Sequence, residues 1–516
     1  MVNVVLNKRK MHIFAKRNGS NLLNRLMNNK NFIFILFILF ILAGNNLFAQ
    51  KKTKKSSNQG SELKFVLNGV PDTVLYLATY YHGKNYIYDT LYPSKKDKYT
   101  FILKKDTLIP KGIYALAGQN HGKYMDFVID SIFSFTAIAG DNRMNNLRFQ
   151  DSYENVIMLD FMIQMSGFQH NMMNINNKIK KEQESENPDT SFIQEQRKEL
   201  LEYRDSLKRF ETDFIDSHRN SLFAKTRLMM HDIQIPEAPR NSDGSLVDSN
   251  FGFHYYLNHY WDNIDFQESA LFNTPFPFNS KLEYYFDKVV PPFVDSIIKY
   301  TDILLEKAKG NADVFRYILS HVSSKAERSQ YVAHDAVFVH VVQKYYAKGC
   351  CPWVDEAILE RMIDKAETLN LILIGKKVPE LYMADTNGRF RSNYESKRKY
   401  TIMWFWDLNC GYCKTATPKL VDFYNRQHDS LDFEIYAVGA TNDIERWKKQ
   451  IVEKGMTQWI NVAGDTMSLD YRQVFDISAF PVIFVLDKDK KIIVKKIGVD
   501  ELENFLLNYD AGKIRY

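Results

Sequence analysis

The chain has 516 residues, too many for one core, and at about 100–200 residues per domain three domains are expected. Its 45% apolar and 25% charged residues exclude a disordered or fibrous chain, and 36 Phe and 30 Tyr supply several cores. The net charge of +6 is concentrated at one end: residues 1–49 hold seven Lys or Arg and no acid, leaving 61 basic (68 less 7) against 62 acidic residues. Nothing in that balance supports a nucleic-acid partner, which needs a basic face.

At the N-terminus, Phe32 to Ala43 is an unbroken apolar run preceded by Lys30 and followed by a short polar stretch to Ala49. That is the layout of an export signal, with cleavage expected after Ala49. An uncleaved membrane anchor is the alternative, although spanning a bilayer takes about 20 apolar residues. The charged lead before the run is long for a signal, and Met27 offers a second start. No Cys follows the run for lipid attachment. The expected location is therefore the periplasm or cell envelope, where disulfides persist. Cys350, Cys351, Cys410 and Cys413 are the whole cysteine complement, too few for a disulfide scaffold and suited to chemistry.

Residues 50–61 read as a polar linker. From 62 to 148, short runs rich in β-branched and aromatic residues alternate with turn residues: Leu63 to Leu67, Thr73 to Ala78, Tyr99 to Leu103, Ile113 to Ala117 and Tyr124 to Ile129. They predict a small antiparallel sandwich or barrel with no catalytic constellation. From 149 to 374 the period becomes helical. Ile193, Leu200, Leu207, Phe210 and Phe214 share one face, and Asn187-Pro188-Asp189 separates that helix from one ending near Lys181. The stripe is expected to pack on this neighbour, making a long antiparallel pair. His334 and His340 are six apart, a spacing unlike that of zinc helices, whose ligands lie four apart, and no metal site is expected.

From 375 to 516, strand and helix patterns alternate. A hairpin is expected around Asn387-Gly388, a buried strand from Tyr400 to Trp406, a helix from Lys414 to Tyr424 and a strand from Phe433 to Gly439. A helix from Ile444 to Lys454, a strand pair after Pro481 and a closing helix from Asp500 to Asn508 follow. Between the buried strand and its helix stands Cys410-Gly411-Tyr412-Cys413. Cys410 falls at a helix start, where unpaired N–H groups and the helix dipole favour an anion, so a thiolate is available near neutral pH. Cys413, inside the first turn, can close a disulfide with it and release a mixed disulfide by attacking Cys410. Zinc binding would need a second ligand pair, and none lies at a suitable spacing downstream.

Trp404 to Leu420 (WFWDLNCGYCKTATPKL) and Ser478-Ala479-Phe480-Pro481-Val482 resemble the corresponding segments of TlpA/ResA-like thioredoxin-family proteins. The likeness covers about residues 376–516. It implies an α/β thioredoxin-like domain in which Pro481 is cis, Phe480 presents backbone to the substrate strand and Pro418 kinks the active-site helix. Trp406, Asp407, Gly411 and Tyr412 complete the supporting set. The β-rich and helical modules more weakly resemble the N-terminal modules of Bacteroidetes envelope proteins. Two departures stand out. The buried Asp that thioredoxins place six residues before the first Cys is Trp404 here, and the Glu that ResA-like proteins place three after the second is Ala416. Either acid would move a proton off the buried thiol; Asp407 is the candidate substitute.

The expected function is thiol–disulfide exchange with disulfide-containing partner proteins, most simply as a reductase. A membrane thiol donor would re-reduce it, and no cofactor is needed beyond the Cys410–Cys413 disulfide. The alternative is an envelope binding or scaffold protein with a vestigial thiol domain. Cys350 and Cys351 are either an auxiliary thiol relay or two packed, reduced side chains, the bland reading being favoured. A peroxidase is disfavoured because Asp407, not Thr, stands three before Cys410. Oligomeric state is not legible.

Overall fold

The computed structural model describes residues 60–514 except 82–83, 121, 142–143, 276–277, 330, 332 and 465–469. The export signal, the Met27 start and all but the end of the linker lie outside them. Contacts divide the chain into a small unit, which holds Leu103–Ile109 and the residues up to Leu63, and a large one, Lys64–Ile102 with Pro110–Tyr516. In the small unit, Ser61, read above as linker, opens a strand, is buried and accepts the Ile109 N–H on its Oγ at 3.0 Å.

The N-terminal strands are β1 Ser61–Leu67, β2 Leu75–Tyr81, β3 Lys84–Leu91, β4 Pro93–Ser94, β5 Asp97–Lys105, β6 Gly112–Ala117, β7 Lys123–Ile129, β8 Ser134–Ala139 and β9 Arg148–Gln150. They form a five-stranded sheet, β4-β5-β1-β8-β9, and a four-stranded sheet, β3-β2-β6-β7. Phe65 of the first meets Phe127 of the second with ring centroids 5.3 Å apart, and Phe127 meets Phe135 at 5.5 Å. This is the expected sandwich, closed by aromatic side chains on the inward positions.

The helical region opens with two long helices, Tyr153–Gln183 and Thr190–Ser217. The Asp189 side chain caps the second by accepting the Ser191 and Phe192 N–H groups. Ile193 and Leu200 share a buried cluster with Ile175 and Ile179, while Phe214 stands 4.6 Å from the Phe161 ring. The apolar stripe therefore packs on its own neighbour. Shorter helices follow, among them Val294–Lys307, Ala312–Glu327, Asp335–Lys344 and Glu356–Leu371. No helix among the described residues is long and apolar enough to cross a membrane.

The C-terminal strands are β10 Tyr382–Asp385, β11 Phe390–Ser392, β12 Tyr400–Trp406, β13 Phe433–Gly439, β14 Ile460–Ala463, β15 Val482–Leu486 and β16 Ile492–Lys495. They form one seven-stranded sheet, β11-β10-β14-β13-β12-β15-β16. The β12–β13 and β13–β14 pairs are parallel; β15 runs antiparallel to β12. Strand β12 is apolar on both faces because both are covered. Ile402, Trp404 and Trp406 join the core made with the helices Gly411–Gln427, Ile444–Glu453 and Val499–Asp510. Met403 and Phe405 point the other way, into a core shared with Val337, Phe338 and Ile372 of the helical region. The helical region thus supplies part of the second face of this sheet.

Candidate active site

Strand β12 delivers the chain to the site. Beyond Trp406 a tight turn forms in which Asp407 Oδ1 accepts the Asn409 N–H at 2.7 Å and the Asp407 carbonyl accepts the Cys410 N–H at 3.3 Å. Cys410 is then the N-cap of the helix Gly411–Gln427, in extended conformation, and its sulfur accepts the Cys413 N–H at 3.1 Å. A sulfur in that place meets the free N–H groups of a helix start. The Cys410 thiol also donates to the Phe480 carbonyl at 3.2 Å, and the Phe480–Pro481 bond is cis. Two loops distant in sequence are thereby joined at one sulfur.

Cys410 is half-buried, Cys413 is buried, and Tyr412 between them is 80% exposed. Both thiols are free. Burial pushes the Cys413 thiol up to about 12, with the Cys410 sulfur and the Asp407 charge adding to it and a backbone hydrogen bond at Asp407 opposing. Cys413 therefore holds its proton at neutral pH and needs a base to give it up. The Asp407 carboxylate is near enough for its charge to act on this thiol.

The other supporting residues fall as follows. Trp406 is fully buried, with its indole N–H unpartnered. Gly411 has open space where a Cβ would be, so neither room nor backbone conformation demands glycine there. Pro418 sits inside the helix and lacks the N–H that would reach the Lys414 carbonyl; Thr417 Oγ1 bonds the Cys413 carbonyl at 2.7 Å. Trp404 and Ala416, the positions at which the resemblance leads one to expect acids, line a hollow of about 360 Å³ beside Pro481. Asp476 and Lys496, an ion pair at 2.7 Å, line it too.

Two arginines escaped the sequence reading. The Arg472 guanidinium lies 5.7 Å over the Phe480 ring, and Asp407 acts on its charge. Arg446 donates to Asn409 Oδ1 at 2.8 Å, bracing the turn before Cys410. Asp470, which caps the short helix Tyr471–Val474, marks a helix start, and no local signal ties Arg472 to Phe480.

Cys350 and Cys351 are not brought to this site. Cys351 is buried in the helical core, its thiol pushed up to about 12 first by burial, and it packs as a small apolar residue. Cys350 is exposed, which corrects the expectation that both are packed; it follows directly on the Gly349 turn, at φ +76°. His340 bonds the Asp302 carboxylate at 3.0 Å and His334 the Ser329 hydroxyl at 2.9 Å.

Residues 398–492 match a family described as thioredoxin-like, and residues 178–370 match a domain of unknown function (DUF5106). A domain of a possible thiol-disulfide isomerase from Cytophaga hutchinsonii is 41% identical over 27% of this chain and 95% of that one, with a TM-score of 0.26. The thioredoxin-like match at residues 398–492 is what places the C-terminal domain. The C-terminal domain belongs to the thioredoxin-like thiol–disulfide oxidoreductases. ResA, a thiol-disulfide oxidoreductase of Bacillus cereus, is 24% identical over 136 residues, 26% of this chain and 76% of its own. A thioredoxin-like protein from Bacteroides caccae is 18% identical over 54% of this chain and 99% of that one, with a TM-score of 0.42. In this thioredoxin-like domain the cysteine pair and the cis-proline loop meet at Cys410, while both positions of the usual relay acids face the hollow beside Pro481.

Proposed function

We propose that the protein is an exported thiol–disulfide oxidoreductase that reduces disulfides in partner proteins through Cys410 and Cys413. The observation that carries this reading is the arrangement of the pair: Cys410 half-exposed on a helix N-terminus against the Phe480 carbonyl, Cys413 buried behind it. The Cys410 thiolate attacks one sulfur of the target disulfide; that bond breaks, one target thiolate leaves and a mixed disulfide forms. Cys413 then passes its proton to Asp407 and attacks the Cys410 sulfur. The target departs as its second thiolate, two electrons have moved to it, and the protein holds a Cys410–Cys413 disulfide. No other cofactor enters. A membrane thiol donor restores the dithiol.

Export rests on the signal-like N-terminus, and the reducing direction on the resemblance to TlpA/ResA-like proteins. The deciding experiment is the equilibrium reduction potential of the pair, by dithiothreitol or glutathione titration with alkylation and mass readout. A value near −270 mV, like that of thioredoxin, is expected; a value near −120 mV would reverse the direction. A pair that does not cycle would leave the binding or scaffold reading, which the bare Trp404 and Ala416 positions favour. Alanine at Cys410 would then leave the biological effect unchanged.

A further inference from the structure

A large hollow lies in the helical region, away from the thiols: a groove of about 980 Å³. One wall is a single face of the helix Ala312–Glu327 and its cap, with Arg316, Ser320, Ser324 and Arg328 four apart in one row. Tyr317, His321 and Lys325 form the adjoining row. Asn279, Glu283, Phe286 and Asp287 make the facing wall. The Tyr317 hydroxyl bonds Asn279 and Lys325 pairs with Asp287, so the two walls run side by side in the same direction.

The charges in the groove are unevenly satisfied. Lys325 and Asp287 neutralise each other. Glu283, at mid-groove, accepts from Asn279 Nδ2 at 3.1 Å, its one hydrogen bond among the described residues, and acts on His321, whose pKa is lowered, first by burial. Arg316 and Arg328 are exposed and have no carboxylate partner among the described residues. Arg316 lies 6.0 Å over the Trp353 ring, and Arg328 Nε donates to the Ser324 carbonyl at 3.1 Å. Twelve residues of helix separate them, about 18 Å at 1.5 Å per residue. Two unpaired guanidiniums thus stand at the two ends of a groove whose middle is neutral or acidic.

The groove is tied to the thiol domain. His334 and Val337 line one end of it. Asp335, next to His334, pairs with the buried Lys495 of β16. Lys495 stands opposite Phe484 of β15, three residues from Pro481. This end of the groove is thus two contacts, Asp335–Lys495 and Lys495–Phe484, from the strand that follows Pro481.

We propose that this groove binds an extended segment of the substrate protein, five or six residues long, with a carboxylate near each end, and so holds the target disulfide at Cys410. The spacing fits: five steps of an extended chain cover about 17 Å, and bidentate guanidinium–carboxylate pairing fixes both ends. A segment is favoured over a compact small molecule because the unpaired charges lie a full groove length apart. The proposal deepens the reading of the protein as a disulfide exchanger and rests on it.

Fluorescence anisotropy of the full-length mature protein with a labelled hexapeptide, Glu-Ala-Ser-Ala-Ala-Glu, tests the groove directly, with the same peptide carrying Lys at both ends as control. The acidic peptide is expected to bind at least tenfold tighter. Arg316→Glu and Arg328→Glu, both surface changes, should each weaken it at least tenfold, and Cys410→Ala should not. Appending the acidic segment to a small disulfide loop through linkers of graded length should raise kcat/KM for its reduction at least tenfold at the length that spans the two sites. The two reversals should remove that gain and leave reduction of the bare loop unchanged. Equal binding of the two peptides, or binding untouched by both reversals, overturns the proposal. Acidic-peptide binding with no gain in rate overturns the groove as a substrate site and leaves the thiol reading standing. Failure to reduce even the bare loop overturns the thiol reading, and this proposal with it.

Discussion

Cys413 is the residue whose chemistry is most constrained by its surroundings. Its thiol, pushed up to about 12 mainly by burial, is almost wholly protonated at pH 7, so resolution of a mixed disulfide depends on a base. Without one, the rate of resolution would rise about tenfold per pH unit, following the thiolate fraction. Cys413→Ser should accumulate the mixed disulfide between Cys410 and its partner, seen as a mass adduct that dithiothreitol removes. Asp407→Asn separates two roles for the neighbouring acid. The Asp407 charge raises the Cys413 pKa, so if charge were all it supplied, the variant would resolve faster at every pH. If Asp407 takes the proton, resolution near pH 7 falls by about 10²-fold, the low end for general-base catalysis, while the alkaline limb, where hydroxide removes the proton, is not slowed. Stopped-flow measurement of the second step from pH 6 to 10 reads the difference. The cysteine pair and the Phe480–Pro481 loop were legible because each is a short local motif. Arg472 over Phe480 was not, since that contact joins a short helix to a separate loop with no shared pattern.

Among the elements, the edge of the four-stranded sheet shows how sandwich and helices are joined. Strand β7 has a neighbour on one side only, and an edge strand leaves backbone groups unpaired. Asn155, fully buried in the first turn of the helix Tyr153–Gln183, covers them: its Oδ1 accepts the Val128 N–H at 2.7 Å and its Nδ2 donates to the Val128 carbonyl at 2.9 Å. One amide side chain thus does for β7 what a further strand would do. Asn155→Ala should leave both Val128 groups buried without partners and destabilise the protein by about 2–3 kcal/mol, measured by urea denaturation. An unchanged midpoint would mean that water reaches that edge. Strands with apolar runs, such as Leu63 to Leu67 and Tyr400 to Trp406, were legible from length and composition. Strand β3 was missed because five of its eight residues, Lys84 to Tyr88, are exposed, which leaves no alternation to read. Strand β14, four residues long, gives too short a signal. That Asn155 seals the sheet could not be read at all, because an amide pairing with a strand edge is visible only once the two elements meet.

At the scale of the whole molecule, the thioredoxin-like sheet is completed from outside its own segment. The alternation along β12 showed that both faces are apolar, but not which chain segment covers the second. The covering residues include Val337, Phe338 and Ile372, and the join contains a charge pair. Lys495 Nζ, in a side chain 3% exposed, meets the Asp335 carboxylate and donates to the Ile372 carbonyl at 2.7 Å. Burial lowers the Lys495 pKa from 10.5, and Asp335 opposes that lowering. Between the lowered value and 10.5 the unfolded chain carries more protons than the folded one, so stability rises with pH through that window. Asp335→Asn removes the opposing charge and leaves a buried ammonium, which should cost about 3 kcal/mol at pH 7. It also lowers the Lys495 pKa further, widening the window. The loss should therefore shrink between pH 7 and pH 10, as Lys495 becomes neutral inside the fold while the unfolded chain still holds its proton. Adding Lys495→Met to Asp335→Asn should recover much of the loss at pH 7, since an apolar side chain of similar length needs no counter-charge. Urea midpoints of the single and double variants at the two pH values decide it. A penalty equal at pH 7 and pH 10 would show that Asp335 acts through packing and not through the charge of Lys495. A penalty that vanishes at high pH would identify the ion pair as the contact that locks the helical region onto the oxidoreductase sheet.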